Sequence, residues 1–248
     1  HAGGGKAEQI FLRGFDIDHG TDIRLTVDGM PVNMVSHAHG QGYADLHFVI
    51  PELIERVHFN KGTYSADKGD FSTAGWVDFK TKDVLEKNTA KVEMGQYDTY
   101  RIFSAVDLLS QRAKDKGTSA YLASEYNFSN SYFDAPQRFK RFNAVGKFNS
   151  KLGTNNLFNA AISTFSSSWN HSGQIPDRSV NAGDISFFGA IDDTEGGKTS
   201  RTNVNLKLTM PNSKGLMTHQ VFYSNYNFEL FSNFTFFLND PIHGDQIK

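Results

Sequence analysis

Two histidines near the start of the chain are the residues whose types and spacing could do metal chemistry. His37 and His39 are two positions apart, so on an extended strand their imidazoles point to the same side and could share one metal ion. The HxHxDH pattern of metal-dependent hydrolases fails here, because Gln41 and Gly42 stand where that pattern requires Asp and His. Since a third ligand is missing, we favour a role in loop conformation, or contact with a bound ligand, over a metal site.

No other pattern in the chain predicts catalysis or a cofactor. Residues 3–6 (GGGK) lack the spacing of a phosphate-binding loop, and no nucleophile elbow of the G-x-S-x-G type occurs. Cysteine is absent, which excludes disulfides and thiolate metal sites. The formal net charge is -2, so no strong positive field favours nucleic acid as a partner. We therefore predict a protein that is not an enzyme and has no cofactor.

Alternation of polar and apolar residues predicts β-strands over most of the chain. Three segments alternate most clearly, at residues 119–128, 141–149 and 201–210. In the last of them Val204 and Leu206 share one face, and Arg201 and Asn203 share the other. No run of about 18 apolar residues occurs, which excludes a spanning helix, whereas spanning strands need only about 9–11 residues each.

The predicted connections between these strands alternate in length. Residues 150–156 and 211–215 are short and 110–118 is of modest length, whereas 131–137 and 169–198 lie at the other ends of the strands. Short turns on one side and long loops on the other are typical of outer-membrane barrels. About seven strands fit into residues 89–231.

The first third of the chain has shorter elements. A strand at residues 23–27 is followed by a turn at Asp28-Gly29, and Pro51 begins a predicted short helix over residues 51–56. A charged stretch at residues 82–88 marks the predicted boundary between two domains, 1–87 and 88–248.

Five blocks in this first part, in the same order, resemble the plug domain of TonB-dependent outer-membrane receptors. They are residues 12–15 (LRGF), 27–31 (VDGMP), 50–57 (IPELIERV), 61–65 (KGTYS) and 69–77 (GDFSTAGWV). The residues that carry the signature are Arg13, Gly14, Asp28, Gly29, Pro51, Glu52, Glu55, Lys61, Gly62, Gly69, Ala74 and Gly75. Thr63 and Lys68 depart from the family's usual Pro and Tyr, and both departures concern turn geometry.

This resemblance implies a mainly β chain: an α+β plug segment at residues 1–87, whose start is missing, and the first strands of a large barrel at 88–248. The family's barrels have about 22 strands, so we expect seven or eight here and interpret the chain as a piece of a longer polypeptide. It further implies the bacterial outer membrane, contact with its lipid, and TonB as a partner through a segment that this sequence does not contain.

The implied activity is uptake of a scarce ligand, such as a siderophore, another metal chelate or cobalamin, by energised movement of the plug. His37, His39, Tyr43 and Trp169 are the candidate ligand contacts. One alternative from another class stays open: a soluble all-β module that binds a metal or ligand through the loop containing His37 and His39.

Overall fold

The residues that the structure describes form three β-sheets and three short helical turns. The computed structural model describes residues 10–12, 14–17, 22–35, 43–232 and 241. In chain order the elements are β1 (Ile10–Leu12), β2 (Phe15–Ile17), β3 (Ile23–Val27), β4 (Met30–Pro31), a 3-10 helix (Pro51–Leu53), β5 (Ile54–Lys61), β6 (Gly75–Thr81), β7 (Thr89–Gly95), β8 (Thr99–Asp107), α1 (Gln111–Asp115), β9 (Thr118–Ser129), β10 (Phe139–Leu152), β11 (Asn156–Asn170), α2 (Asp177–Ala182), β12 (Gly196–Asn212) and β13 (Gly215–Phe231).

A four-stranded sheet in the order β4-β3-β6-β5 forms most of what we call the inner unit, the described residues up to 88. The β3–β6 pair is parallel and the other two pairs are antiparallel. Asp28 (φ 50°) and Gly29 (φ 83°) connect β3 to β4 with two positive φ values, which is the tight hairpin turn that Asp-Gly favours. The turn predicted at this position is present.

The helix predicted over residues 51–56 is shorter than expected. Only Pro51–Leu53 are helical, in a single 3-10 turn, and β5 begins at Ile54. Ile54 pairs with Thr81 of β6, and β-branched residues favour the extended backbone of such a pair. Sheet pairing therefore ends the helix after one turn.

The core of the inner unit lies on one face of the four-stranded sheet. Ile23, Leu25 and Val27 project from β3 to this side and are almost fully buried. They pack with Val32, Phe48 and other apolar side chains, and one residue of a later strand, Phe165, joins the same cluster. The opposite face of the sheet is mainly polar and carries Arg24, Arg56 and Asp78.

Strands β7 to β13 form an antiparallel meander in which each strand pairs with its neighbours in sequence. We call this seven-stranded sheet the wall, and its inward face is the one that contacts the inner unit. The predicted fold class, mainly β with a small α+β segment before long antiparallel strands, is confirmed, and the strand number agrees with the seven expected in residues 89–231.

The two faces of the wall have opposite character. Polar side chains such as Glu125, Asn143 and Arg201 are buried on the inward face, whereas large apolar side chains such as Leu122 and Ile162 are exposed on the other. This is the reverse of a soluble sheet, which exposes its polar face.

The connections of the wall alternate as the sequence predicts, except that the reversal at residues 96–98, between β7 and β8, is short although it lies at the end with the long connections. Residues 153–155 and 213–214 form tight turns at one end, whereas 130–138 and 171–195 join strands at the other. The longest connection contains α2, and residues 108–117 contain α1. Among the described residues, no helix has the length and apolar character needed to cross a membrane. The division into domains at residues 87 and 88 stays a prediction; β6 ends at Thr81 and β7 begins at Thr89.

Candidate functional site: the interface between inner unit and wall

In the described part of the chain, the inner unit contacts the wall through polar groups and through apolar packing at two places, around Phe165 and under the 3-10 helix. The polar groups centre on Arg101, Lys147 and Arg201, which all project from wall strands. Each of these cations has partners on the inner unit, so the interface is the candidate functional site.

Arg101 on β8 joins the 3-10 helix to the buried carboxylate of the wall. Its guanidinium donates to both carboxylate oxygens of Glu52, at 2.8 and 2.6 Å. Its Nε donates to Glu125 at 2.7 Å. The other oxygen of Glu125 lies 3.1 Å from Arg141 and accepts a bond of 3.0 Å from Asn143. Glu125 is fully buried, and such a charge requires these partners.

The bidentate pair with Arg101 also determines the ionisation of Glu52. The hydrogen bonds from Arg101, with a further one from Lys91, lower the pKa of Glu52 to about 2, although burial alone would raise it. Glu52 is therefore ionised at every physiological pH, and the contact between the 3-10 helix and the wall keeps its charge.

Lys147 on β10 projects between two aspartates of the inner unit. Its Nζ lies 3.1 Å from Asp28 and 2.9 Å from Asp83, and it donates to Thr81 Oγ1 at 2.7 Å. Burial would raise the pKa of the Asp28 carboxyl, but Lys147, Lys80 and the hydrogen bonds from Thr81 outweigh burial and lower it. The signature turn at Asp28 is thus held to the wall by charge.

Arg201 on β12 binds the strand that follows this turn. It is 2% exposed, and its guanidinium donates to the carbonyl oxygens of Pro31 at 3.1 Å and Val32 at 3.3 Å. The guanidinium also lies 4.7 Å from the centroid of the Phe48 ring, a cation–π distance. A wall cation therefore binds main-chain oxygens of β4 and its neighbour.

Besides the packing around Phe165, an apolar contact lies under the 3-10 helix. Ile50 and Leu53 of the inner unit pack against Phe103, Ala105 and other small or aromatic residues of β8 and β9. Apolar packing therefore accompanies the polar contacts at this interface.

The candidate ligand contacts Tyr43 and Trp169 meet at one aromatic cluster at the end of the wall with the long connections. Their rings lie 5.0 and 6.3 Å from that of Phe228, and both side chains are buried. Trp169 Nε1 has no hydrogen-bond partner among the described residues. His37 and His39 lie outside the described residues. In the described part of the chain, no group of three His, Cys, Asp or Glu is placed to hold a metal ion.

Gly196 and Gly197 allow the backbone and side chain of Trp169 to be closely enclosed. A Cβ at Gly197 would lie 2.7 Å from the Trp169 ring and 2.7 Å from the Glu229 carbonyl oxygen. A Cβ at Gly196 would lie 2.2 Å from the Trp169 carbonyl oxygen. Only glycine permits β11, β12 and β13 to approach each other this closely.

Signature residues lie mostly at turns and at the junction of β5 and β6. All five signature glycines have positive φ, namely Gly14, Gly29, Gly62, Gly69 and Gly75. A Cβ at Gly75 would lie 2.3 Å from the Asn60 carbonyl oxygen, so no larger residue fits there. Ala74 is buried, Pro51 begins the 3-10 helix, and Glu55 and Lys61 are exposed. Arg13 lies outside the described residues, and the roles of the signature residues stay predictions.

Alternation places Glu125, Lys147 and Arg201 on polar strand faces but does not identify their partners. The sequence pattern gives no prediction for Arg101. The contact between Lys147 and Asp28 joins residues 119 positions apart. The signal in the sequence is a charged side chain on a strand face whose other residues are small and polar.

Comparison with known proteins identifies the first part of the chain and the fold of the whole. Residues 1–76 match the family model described as the TonB-dependent receptor plug domain. No curated protein matches the chain.

Solved structures match nearly the whole chain. The ferric citrate transporter FecA in its unliganded form is 14% identical, with a TM-score of 0.73, over 91% of this chain and 34% of that one. The siderophore receptor PiuA from Acinetobacter baumannii is 15% identical, with a TM-score of 0.69, over 93% and 32%. The receptor FpvA from Pseudomonas aeruginosa PAO1, bound to pyoverdine, is 17% identical, with a TM-score of 0.64, over 95% and 34%. At these identities the likeness is one of fold, and the chain spans about a third of the length of these structures.

Proposed function

We propose that this chain, which has the plug domain and the plug-and-barrel fold of TonB-dependent receptors, is part of a protein that imports a scarce ligand across the bacterial outer membrane. One observation carries the proposal: the wall buries charged side chains against the inner unit and exposes apolar ones on its other face. That distribution suits a sheet with lipid outside and a polar plug inside. In water the same apolar face would favour aggregation, which counts against a soluble module built on the His37 and His39 loop.

The polar contacts at the interface suit a plug that has to move. When a plug leaves a wall of this kind, water can replace the hydrogen bonds of Arg101, Lys147 and Arg201, so the net free-energy change per bond is small, about 1 kcal/mol for a neutral bond and somewhat more for a charged one. A large apolar interface would lose its full burial energy instead. In this proposal the plug is held firmly at rest and is released when TonB, in the inner membrane, pulls on it.

The cargo in this proposal is a metal chelate such as a siderophore, or cobalamin. The names of the similar structures support this class, since they are a ferric citrate transporter, a siderophore receptor and a pyoverdine receptor. Tyr43 and Trp169 lie together at the end of the wall with the long connections, which is the outer end in this proposal. Both side chains are buried here, so in this proposal they would meet the ligand only when the plug shifts. His37 and His39 stay candidate ligand contacts and lie outside the described residues.

The test is energy-dependent uptake by the full-length protein. The protein would be produced in the outer membrane of a Gram-negative host without its own iron-chelate receptors, and uptake of ⁵⁵Fe-loaded chelates would be measured. We expect uptake of at least one chelate, and loss of that uptake in a host without TonB or after addition of a protonophore.

Two results would contradict the proposal. The first is a protein that fractionates as soluble without detergent. The second is ligand uptake that is the same with and without TonB, since energised plug movement would then play no part.

A further inference from the structure

A charged cavity of about 500 Å³ lies between the inner unit and the wall, away from the aromatic cluster. On one side it is lined by the polar face of the four-stranded sheet, including Arg24, Arg56 and Asp78. On the other side it is lined by wall residues, including Lys147 and Lys207. The volume falls within the range of about 300–1,000 Å³ that is typical of small-molecule sites.

The aspartates that line this cavity are all paired with lysines. Asp78 lies 2.7 Å from Lys68, and Asp67 lies 3.6 Å from the same lysine. Asp83 lies 2.7 Å from Lys80, and Asp28 lies 3.1 Å from Lys147. Three lysines thus pair with four aspartates, and with the other three cations the lining keeps two more positive than negative charges.

Three cations of the lining have no carboxylate partner within the described residues: Arg24, Arg56 and Lys207. Arg24 Nη1 donates to the carbonyl oxygen of Lys68, and its Nε is buried without a partner in the described part of the chain. The lining contains six lysine and arginine side chains and four aspartates. Since the whole chain has a net charge of -2, this excess of positive charge is local to the cavity.

We propose that this cavity binds a small multivalent oxyanion, with carboxylate or phosphate groups, between the inner unit and the wall. Two arginines and a lysine without carboxylate partners supply donors for such groups, and guanidinium groups bind carboxylate and phosphate in a bidentate manner. The low-dielectric walls of a cavity strengthen this attraction.

For its physiological meaning the inference rests on the proposed transport function. If the receptor imports its ligand past the plug, the cavity is a binding site on the inner side of that path. Its charge then selects an anionic cargo, so the transported chelate carries negative groups.

The test is equilibrium binding to the full-length receptor in detergent at low salt. Citrate and inorganic pyrophosphate are the two probes, and the neutral sugar trehalose is the control ligand. We expect one or both anions to bind, with an affinity that falls as sodium chloride is added, and trehalose not to bind. The anion with the higher affinity distinguishes carboxylate from phosphate recognition.

Substitutions locate the site. Arg56→Gln and Lys207→Gln should each weaken anion binding about tenfold, because each removes one charged hydrogen bond. Lys214→Gln is the matched control, since it removes an exposed cation from the turn of the same β12–β13 hairpin and should leave affinity unchanged.

Absence of anion binding, or an equal loss in all three variants, would overturn the inference. Neither result would affect the transport proposal, which depends on TonB-linked uptake. Conversely, a receptor that binds citrate in this cavity but shows no energy-dependent uptake would retain the site and lose its role in transport.

Discussion

At the scale of single residues, the attachment of the inner unit to the wall depends on a few buried charges. Lys147 is the clearest example, since its side chain is 3% exposed and lies between Asp28 and Asp83. Replacement by Met would leave the largely buried Asp28 and the partly exposed Asp83 with fewer partners. We expect Lys147→Met to destabilise the protein by about 3 kcal/mol, as breaking a buried ion pair commonly does. The urea concentration at half-unfolding of the full-length protein in detergent measures the effect.

Two further variants make the Lys147 result specific. Lys151→Met removes an exposed lysine from the same strand and should change stability by less than about 0.5 kcal/mol. The double variant Asp28→Asn/Lys147→Met removes charge from both partners and should recover part of the loss. Equal destabilisation by Lys147→Met and Lys151→Met would contradict a role for the buried charge.

The pKa of Glu52 gives the interface a defined response to acid. Its pKa is about 2 next to Arg101, compared with an ordinary value of 4.5. The contribution to stability is thus complete above pH 4.5 and is lost as the pH falls towards 2. Because Glu52 is partly exposed to solvent, the loss should be modest, about 1 kcal/mol.

Unfolding by urea at pH 6, 4 and 3 would measure this acid response. Glu52→Gln should remove part of the decline below pH 4.5. Glu55→Gln is the control, because Glu55 is an exposed carboxylate three positions along the chain. Identical pH profiles for the wild type and Glu52→Gln would show that the pair with Arg101 does not contribute.

At the scale of secondary-structure elements, the local pattern of the sequence was sufficient for the strands and insufficient for their partners. Alternation fixes which face of β9 carries Glu125 and which carries Leu122, because side chains alternate along any strand. It cannot show that Glu125 meets Arg101 and that Arg101 meets Glu52, since those partners lie 24 and 49 positions apart. The overlong helix prediction at residues 51–56 has the same origin: pairing with β6, a distant element, decided where β5 begins.

The outward face of the wall supports a prediction about depth in a bilayer. Ile162 lies next to Leu122 across the small Gly146, within the apolar part of that face, whereas Ser168 lies six positions nearer the long connections. In a bilayer, Ile162→Arg should destabilise the folded protein by about 2–4 kcal/mol. Ser168→Arg, near the membrane–water interface, should destabilise the protein by only about 0–1 kcal/mol.

Folding of the full-length protein into phospholipid vesicles would measure both variants. The two substitutions introduce the same side chain on the same face of β11, so they differ chiefly in depth. Equal effects would mean that the outward face is not in contact with lipid.

At the scale of the whole molecule, the polar interface should allow the inner unit to open at a lower free energy than the wall. The wall consists of seven strands joined by continuous hydrogen-bonded ladders, whereas the four-stranded sheet of the inner unit is smaller and is attached mainly through side chains. Local opening requires least free energy where few apolar contacts have to be broken. We expect the amides of β3, β5 and β6 to exchange hydrogen faster than those of β9 to β12 in the folded full-length protein.

The variant Glu52→Gln/Lys147→Met tests whether attachment to the wall controls this opening, because it weakens two contacts without changing any backbone pairing. Hydrogen exchange followed by mass spectrometry should then accelerate about tenfold or more in β3 and β6, since the loss of about 1.4 kcal/mol multiplies the open population by ten. Exchange in β10 to β12 should stay close to wild type. If instead both sheets accelerated together, the inner unit and the wall would unfold as one cooperative body, and a plug that moves while the wall stays folded would be excluded.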